Sequence, residues 1–466
     1  MNLSRNIWKW PLFILAAAGY LWAKSYAVHY TASGDENAYF YMAKLMDGGK
    51  VFYRDFFFAH PPLELALLAA VYALAGFNLL LLKLTAILPP LIAAGFLYHW
   101  FWKQRSRAAG VLFLVLFLFN YEFLKISSHP FGLSLTGAFL MLSLYCFLEG
   151  KPFAAGIFWG LGALTGLYAL PWGAPACVYY LLRPARGRAL GAFLGGFCLL
   201  VLPVNAVFLL IFRDKYFVPV FLYHFWKPPG QEIIADVIIR VIRRNLLLFF
   251  LPFLYIWIPK DGRGWAILGA GLLYLAFLFS LNPLFTQYFM LPLPFLTWIG
   301  AASLDGLVRR VPRSAGRVIL AAAIPVALAL VTADNLRRYL VHERGTDFRN
   351  LKASLDLIEK NSRPDEFIFG QVTCAPLLAL LSGRAIALDM VDTNPMRFLS
   401  GVTKIEEMLS ALAAEPRLAV LVLQEDRLWL DPRVKEFLER RCALAGVFEE
   451  ANERIFIFTC SNTPRK

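Results

Sequence analysis

Apolar residues dominate the chain in long runs that recur between residues 7 and 333. The runs are about 15 to 25 residues long, which is enough for a helix to cross a hydrocarbon core of roughly 30 Å. They lack the alternation of apolar and polar positions that marks the strands of a membrane β-barrel. Residues 1–333 are therefore predicted to form an all-α polytopic membrane domain. We place about eleven transmembrane helices, at residues 7–24, 80–102, 108–121, 131–148, 153–170, 172–183, 189–212, 245–259, 265–281, 287–305 and 316–333.

The basic residues of the short loops predict the orientation, because Lys and Arg are retained on the cytoplasmic side. Basic clusters occur at residues 5–9, 103–107, 183–188, 260–263 and 309–317. All of them are cytoplasmic only if residues 61–76 do not cross the membrane. At 1.5 Å per residue these 16 residues reach roughly 24 Å, so we predict an interfacial helix in the first outer loop instead. The first crossing is predicted to be an uncleaved anchor, and the C-terminal tail is predicted to lie outside.

The tail, residues 334–466, carries charges throughout, and its apolar runs are too short to cross a bilayer. The predicted order is helix 348–358, strands 366–369 and 385–388, helix 405–414, strand 418–423, helix 434–441, and a hairpin of 444–448 with 455–458. Alternating strands and helices predict a small extracytoplasmic α/β domain with a mostly parallel sheet. Cys442 and Cys460 flank the hairpin, and their pairing in an oxidising compartment is left open.

Composition narrows the class of protein further. Of the 466 residues, 59% are hydrophobic and 17% are charged, and the mean hydropathy is +0.57. A soluble domain carries nearer a quarter charged residues, so a soluble enzyme and a disordered chain are both excluded. The net charge of +14 comes without basic runs interleaved with aromatic residues, so no nucleic-acid partner is predicted.

The first outer loop carries the strongest candidate chemistry, in the sequence Ser33-Gly34-Asp35-Glu36. Ser33 and Glu36 have the spacing of a helix capping box, and an acidic residue is favourable at a helix N-terminus, so a structural role suits these residues. In the alternative interpretation, Asp35 lies at the membrane surface and takes a proton from an acceptor hydroxyl. The spacing alone leaves both interpretations open.

A second outer segment, residues 213–245, has more basic than acidic residues on the side where topology disfavours positive charge. Arg240, Arg243 and Arg244 have the i, i+3, i+4 spacing of one helix face. They suit either the phosphate of a lipid-linked substrate or the headgroups of membrane lipids. His224 and Lys227, in the same segment, are further candidates for the site.

The first outer loop resembles that of the C-type glycosyltransferases, the superfamily of the protein O-mannosyltransferases and the lipid A aminoarabinose transferase. The shared features are Asp35-Glu36, Tyr39, a Gly-Gly pair, Tyr53 with Asp55, His60-Pro61-Pro62-Leu63 and, in a late span, the run from Gln287 through Tyr288 to Pro292. The resemblance covers residues 1–333. It implies a polyprenyl-phosphate sugar as donor, transfer on the extracytoplasmic face, and Asp35 as the catalytic base.

Two positions depart from the pattern of that family. Members often have a further Asp near the outer end of the third and fourth spans, whereas this chain offers Glu122 and His129. Members also often have Lys before the Pro-Pro pair, whereas this chain has His60.

We therefore predict a multi-pass glycosyltransferase of the cytoplasmic (inner) membrane that moves a hexose or pentose from a polyprenyl-phosphate carrier to an acceptor hydroxyl. The acceptor is a glycolipid, a cell-surface glycan or a protein. Inversion at C1 is expected, since no second carboxylate is clearly available as a covalent nucleophile. Catalysis is assigned to Asp35 and Glu36, and the donor phosphate or lipid to His60, Arg240, Arg243, Arg244 and Tyr288. Acceptor or secondary roles are assigned to Tyr39, Arg54, Asp55, Glu122, His129, His224 and Lys227.

No cofactor is expected to be required, and a divalent metal is left open. Two alternatives to this function remain. A secondary transporter usually places ionisable groups near the membrane midplane and shows inverted repeats, and neither is apparent here. A lipid-linked glycan ligase or polymerase of another membrane fold shares the donor but leaves the Asp35-Glu36 loop unexplained.

Overall fold

The computed structural model describes residues 10–29, 34–183, 186–229, 233–256, 258, 262–281, 283–311, 315–346, 348–424, 431–450 and 453–461. Ser33 and several of the predicted cytoplasmic basic residues, such as Arg5 and Lys260, lie outside these ranges. The helices up to residue 346 are α1 Pro11–His29, α2 Glu36–Asp47, α3 Leu63–Ala75, α4 Leu79–Gln104, α5 Arg107–Leu118, α6 Tyr121–Ile126, α7 Leu133–Leu148, α8 Pro152–Thr165, α9 Gly173–Leu181, α10 Arg186–Phe212, α11 Asp214–Phe217, α12 Tyr223–Trp226, α13 Ile234–Arg244, α14 Leu246–Tyr255, α15 Gly262–Phe279, α16 Leu293–Arg310 and α17 Ala315–Thr346. Two 3₁₀ segments, Leu167–Trp172 and Thr286–Met290, and a π-helical turn, Val218–Leu222, connect some of them.

The apolar helices agree with a polytopic membrane fold. Among the described residues, four stretches are long and apolar enough to cross a membrane, namely Pro11–Val28, Leu79–Gln104, Gly187–Phe212 and Gly262–Phe279. Shorter apolar helices, including α5, α7 and α8, pack against the rest of the bundle. Each of the eleven predicted ranges overlaps a helix. The number of crossings stays a prediction.

The first outer loop contains the helices α2 and α3, which pack on each other. Helix α3 has 13 residues, so at 1.5 Å per residue it is about 20 Å long and does not span a core of roughly 30 Å. Residues 61–76 thus contain a helix, as predicted, and its location at the membrane interface stays a prediction.

The C-terminal part forms an α/β unit. Its helices are α18 Leu351–Asn361, α19 Ala375–Ser382, α20 Pro395–Leu399, α21 Ile405–Ala414 and α22 Pro432–Arg441, and its strands are β1 Phe367–Gly370, β2 Ala385–Ile386, β3 Leu418–Gln424, β4 Cys442–Glu450 and β5 Glu453–Cys460. The sheet order is β2-β1-β3-β5-β4. The prediction of a mostly parallel sheet is wrong. Strand β1 is parallel to β2 and β3, but β5 is antiparallel to both β3 and β4, because the hairpin adds to the sheet through its second strand.

Two further features of the tail were open or differently placed in the sequence prediction. Cys442 and Cys460 are paired across the base of the β4–β5 hairpin and form a disulfide. Helix α17 continues past the predicted domain boundary at residue 333 and ends at Thr346. The α/β unit therefore follows a long helix.

The α/β unit packs directly on the first outer loop. The backbone N–H of Gly34 and the side-chain amide of Asn37 both donate to the carbonyl oxygen of Thr373, at 3.0 and 2.7 Å. The hydroxyl of Tyr41 accepts a hydrogen bond of 2.7 Å from the backbone N–H of Ile386. These contacts hold the N-terminal turn of α2, where Asp35 lies, against the C-terminal part of the chain.

Candidate functional site

A cavity of about 410 Å³ lies where the first outer loop, the helix bundle and the α/β unit meet. We call it the chamber. Residues predicted for the site, Asp35, Tyr39, His60, Lys227 and Tyr288, line it together. Three separate stretches of the membrane part supply these residues, so the fold brings together a set that is dispersed in the sequence.

Asp35 lies at the N-cap position of α2 but does not cap the helix. Its backbone is helical, with φ −61° and ψ −25°, and its side chain makes no capping hydrogen bond. Among the residues that the structure describes, none donates a hydrogen bond to its carboxylate. Since Asp35 lines the chamber, its carboxylate is available to a bound molecule.

The surroundings of Asp35 tune its acidity. Burial, followed by repulsion from the carboxylates of Glu36 and Asp392, raises the pKa of Asp35 to about 6. The charges of His129 and Lys227 act in the opposite direction. A carboxylate with a pKa close to the working pH is a more effective general base than an ordinary aspartate.

Glu36, the next residue, has a different environment. Its Oε1 atom lies 2.9 Å from Nδ1 of His129, and its side chain is buried. Burial alone would raise the pKa of Glu36, but the charge and hydrogen bond of His129 outweigh it and lower the pKa to about 2. The pair joins the start of α2 to the loop after α6.

Within the described ranges, no group of three or more His, Cys, Asp or Glu side chains could hold a metal ion.

His60, His224 and Lys227 form a cluster beside the chamber. The rings of the two histidines lie 5.5 Å apart between centroids. Nε2–H of His224 donates to the carbonyl oxygen of Ala59 at 2.8 Å, and Nζ of Lys227 lies 3.4 Å from Nδ1 of His224. Burial lowers the pKa of both histidines, that of His224 to about 4, so both are neutral near pH 7. Lys227 is therefore the cation among the described residues that line the chamber.

A second cavity of about 670 Å³ adjoins the chamber and shares four residues with it, His60, Tyr168, Lys227 and Tyr288. We call it the apolar groove. The hydroxyl of Tyr168 donates to that of Tyr288 at 3.2 Å. Apolar side chains make up most of the remaining wall, among them Leu167, Leu170, Phe221, Phe225, Phe277 and Leu281. A polar chamber joined to an apolar groove at a lysine suits an amphipathic anion.

The predicted arginine face lies apart from the chamber. Helix α13 carries Arg240, Arg243 and Arg244 near its C-terminal end, as their spacing predicts. Nη1 of Arg244 lies 3.3 Å from Oε1 of the buried Glu122. Arg243 and Arg244 line a separate cavity of about 330 Å³, and none of the three arginines lines the chamber.

Arg54 and Asp55 also lie outside the chamber. They form an ion pair of 2.9 Å with each other. Together with Lys215 they line a cleft of about 330 Å³ between the first outer loop and the α/β unit. The structure thus separates these two residues from Asp35, although the sequence places all three in one loop.

Sequence reasoning missed several residues of the chamber. Asp392 and Asn394, from the α/β unit, line it beside Tyr168 and Tyr223 of the membrane part. No local pattern marks Asp392, because only the packing of the α/β unit on α2 brings it near Asp35. Lys227, in contrast, was predicted, because it belongs to segment 213–245 with its excess of basic residues.

No protein family model matches the sequence, and no curated protein sequence matches it significantly. The fold does match solved structures. ArnT from Cupriavidus metallidurans, solved bound to undecaprenyl phosphate, superimposes with a TM-score of 0.70 over 96% of this chain and 97% of that chain, at 13% identity. AglB from Archaeoglobus fulgidus, an oligosaccharyltransferase solved with an inhibitory peptide and a dolichol-phosphate, gives 0.58 over 98% and 74%, at 12% identity. The arabinofuranosyltransferase AftD from Mycobacteria gives 0.52 over 99% and 40%, at 14% identity.

Proposed function

The chain has the fold of the C-type membrane glycosyltransferases, and from that premise we propose that it transfers a sugar from a polyprenyl-phosphate carrier to an acceptor hydroxyl. The observation that carries the proposal is Asp35. Its carboxylate has no hydrogen-bond donor among the described residues, it has a pKa of about 6, and it lines a chamber that also contains Lys227. A base and a cation in one cavity are the two groups that this transfer needs.

We assign the donor lipid to the apolar groove and its phosphate to the junction of groove and chamber. An isoprenoid chain is apolar and gains free energy by leaving water for a groove lined by Leu and Phe. Lys227 then pairs with the phosphate, and His60, His224 and Tyr288 surround the junction. The structures of ArnT with undecaprenyl phosphate and of AglB with a dolichol-phosphate support a donor of this class.

The proposed reaction is a single displacement at C1 of the sugar. Asp35 accepts the proton of the acceptor hydroxyl, whose oxygen forms a bond to C1. The bond from C1 to the phosphate oxygen breaks on the opposite face, so the configuration at C1 inverts. The lipid phosphate leaves with the electron pair, and Lys227 stabilises its charge. Glu36, held by His129, positions the turn that carries Asp35.

We do not assign the arginines of α13 to the donor phosphate. Because none of the three lines the chamber, and Arg243 and Arg244 line a separate cavity, we propose that they contact the headgroups of membrane lipids, the alternative that the sequence left open. Their charge then lies on the outer side of the membrane together with the chamber.

We propose that the chamber and the α/β unit face the extracytoplasmic side. The Cys442–Cys460 disulfide supports this orientation, since disulfides persist in oxidising compartments and are rare in the cytosol. An alkaline phosphatase fused to the C-terminus is expected to be active. Activity of a cytoplasmic reporter at that position would contradict the orientation.

The decisive experiment measures transfer of label from polyprenyl-phosphate sugars in membranes that contain the protein. Asp35→Asn keeps the size of the side chain and removes the base, so turnover should fall by about 10²- to 10⁴-fold while donor binding persists. Asp47→Asn makes the same change at the exposed C-terminal end of α2 and serves as the matched control. Near-normal transfer by Asp35→Asn would refute the assignment of the base. Movement of labelled sugar across the membrane without covalent transfer would favour the transporter.

A further inference from the structure

The loop between β2 and α20 brings a carboxylate of the α/β unit into the chamber. Asp392 lines the chamber together with Asp35 and Lys227. Its Oδ1 atom accepts a hydrogen bond of 3.0 Å from the backbone N–H of Asn394. Within the described part of the chain, no group donates to its Oδ2 atom. The reaction proposed above uses neither Asp392 nor Asn394.

Several contacts hold this loop in place. Nη1 of Arg397 donates to the backbone carbonyl of Asp392 at 2.7 Å, and its guanidinium lies 4.4 Å from the ring centroid of Phe57 in the first outer loop. The hydroxyl of Thr393 donates to the carbonyl oxygen of Gly370, at the end of β1, at 2.7 Å. Asp392 is therefore positioned before any substrate binds, which reduces the entropy lost on binding.

Lys227 lies near Asp392 and, in the proposed function, binds the phosphate of the donor. Burial lowers the pKa of Lys227, and the charges of Asp392 and Asp35 oppose that change, so its ammonium group is within electrostatic range of both carboxylates. In the proposed function the phosphate of the donor pairs with Lys227. A single oxygen links that phosphate to C1, so a sugar ring on the donor lies close to Lys227, in the chamber that Asp35 and Asp392 also line.

We propose that Asp392 and Asn394 form a subsite for the donor sugar, in which Oδ2 of Asp392 accepts hydrogen bonds from sugar hydroxyls; this subsite rests on the proposed function. The carboxylate of Asp392 accepts hydrogen bonds, and the amide of Asn394 both donates and accepts them. Together they can hydrogen-bond to adjacent hydroxyls of a sugar ring. The chamber holds the carboxylates of Asp35 and Asp392, with Glu36 beside Asp35, and the phosphate already pairs with Lys227. A further carboxylate on the sugar would meet like charges. The subsite therefore selects a sugar without an acidic group over a uronic acid.

The test compares lipid binding by the full-length protein in nanodiscs. The probes are undecaprenyl phosphate without a sugar and synthetic undecaprenyl-phosphate hexoses, pentoses and uronic acids. The wild type should prefer at least one neutral sugar-carrying lipid over the bare lipid and should reject the uronic acids. Asp392→Asn and Asp392→Ala should lower that preference by about 10- to 100-fold, as expected for hydrogen bonds to a charged group, while binding of the bare lipid stays unchanged.

Asp389→Asn is the matched control, since Asp389 belongs to the same loop but pairs with Lys50 and does not line the chamber. Unchanged binding of the bare lipid by the Asp392 variants also shows that they are folded. If those variants keep the full preference for the sugar, or if the wild type binds uronic acids equally well, the subsite is refuted and the proposed function stands. If the wild type binds none of the lipids, both fail.

A pH profile separates a sugar subsite from a catalytic base. Asp392→Asn removes one of the charges that raise the pKa of Asp35, so the acid limb of the remaining transfer rate should move to lower pH than in the wild type. Loss of all turnover in folded Asp392→Asn, as expected for Asp35→Asn, would make Asp392 the base and overturn the subsite.

Discussion

The raised pKa of Asp35 predicts a steep dependence of transfer on pH. A base must be ionised to accept a proton, and a pKa raised by folding means that protonation sets in at higher pH. With a pKa of about 6, Asp35 is roughly 91% ionised at pH 7 and roughly 9% ionised at pH 5, so the rate should fall about tenfold between them. At the ordinary value of 3.8, the same residue would stay more than about 90% ionised at pH 5, and the rate would hardly change.

The assay is a single-turnover transfer rate in nanodiscs between pH 4.5 and 8, with the donor at saturation and its binding measured at each pH. Burial lowers the pKa of His60 and His224, that of His224 to about 4, so neither histidine should produce a limb between pH 5 and 7. Asp47→Asn should show the same profile as the wild type, because Asp47 is exposed at the far end of α2. A rate that is flat from pH 5 to pH 7 would refute the assignment of Asp35 as a base with a raised pKa.

Three further predictions concern the cation, the buried ion pair and the disulfide. Lys227→Gln should raise the KM for the donor by about 10- to 100-fold and leave that for the acceptor unchanged; equal effects on both would contradict phosphate binding at this residue. Arg244→Ala leaves the carboxylate of Glu122 buried without its cation, so the free energy of unfolding, measured by thermal unfolding in detergent, should fall by about 3 kcal/mol, and Glu122→Gln should largely restore it. A folded Arg244→Ala protein with a raised donor KM would instead support the phosphate role. Replacing Cys442 and Cys460 by Ser removes the disulfide between residues 18 positions apart and should destabilise the α/β unit by about 3 kcal/mol. Rapid thiol labelling of both cysteines in the native wild-type protein would contradict the pairing.

The sequence predicted most of the helical framework and several of the residues that line the chamber. Apolar helices can be predicted from hydropathy because a bilayer-spanning helix needs a long apolar stretch. The orientation of the chain can be predicted from the Lys and Arg residues of the short loops. The loop from Asp35 to His60 was recognisable because its motif is local. In the α/β unit, helix α21 coincides with the predicted range 405–414.

The features that the sequence did not predict have one physical cause: each depends on contacts between segments that are distant in the chain. Asp392 enters the chamber only because Thr373 and Ile386 bond to the N-terminal half of α2. The pairing of β5 with β3 likewise follows from the tertiary position of the hairpin. The separation of Arg244 from the chamber is set by its buried partner Glu122, which no spacing rule reveals.

Asp35 and Glu36 show how two adjacent carboxylates can have opposite electrostatic environments. The two carboxylates are adjacent in the chain, but Glu36 is buried whereas Asp35 faces the chamber, and only Glu36 has a histidine within hydrogen-bond distance. The His129 contact holds the pKa of Glu36 near 2, whereas burial and the neighbouring negative charges raise that of Asp35 to about 6. Two titratable groups with divergent pKa values usually have distinct roles. Near neutral pH Glu36 is a permanent charge that fixes the turn, and its repulsion helps to make Asp35 the residue that can exchange a proton.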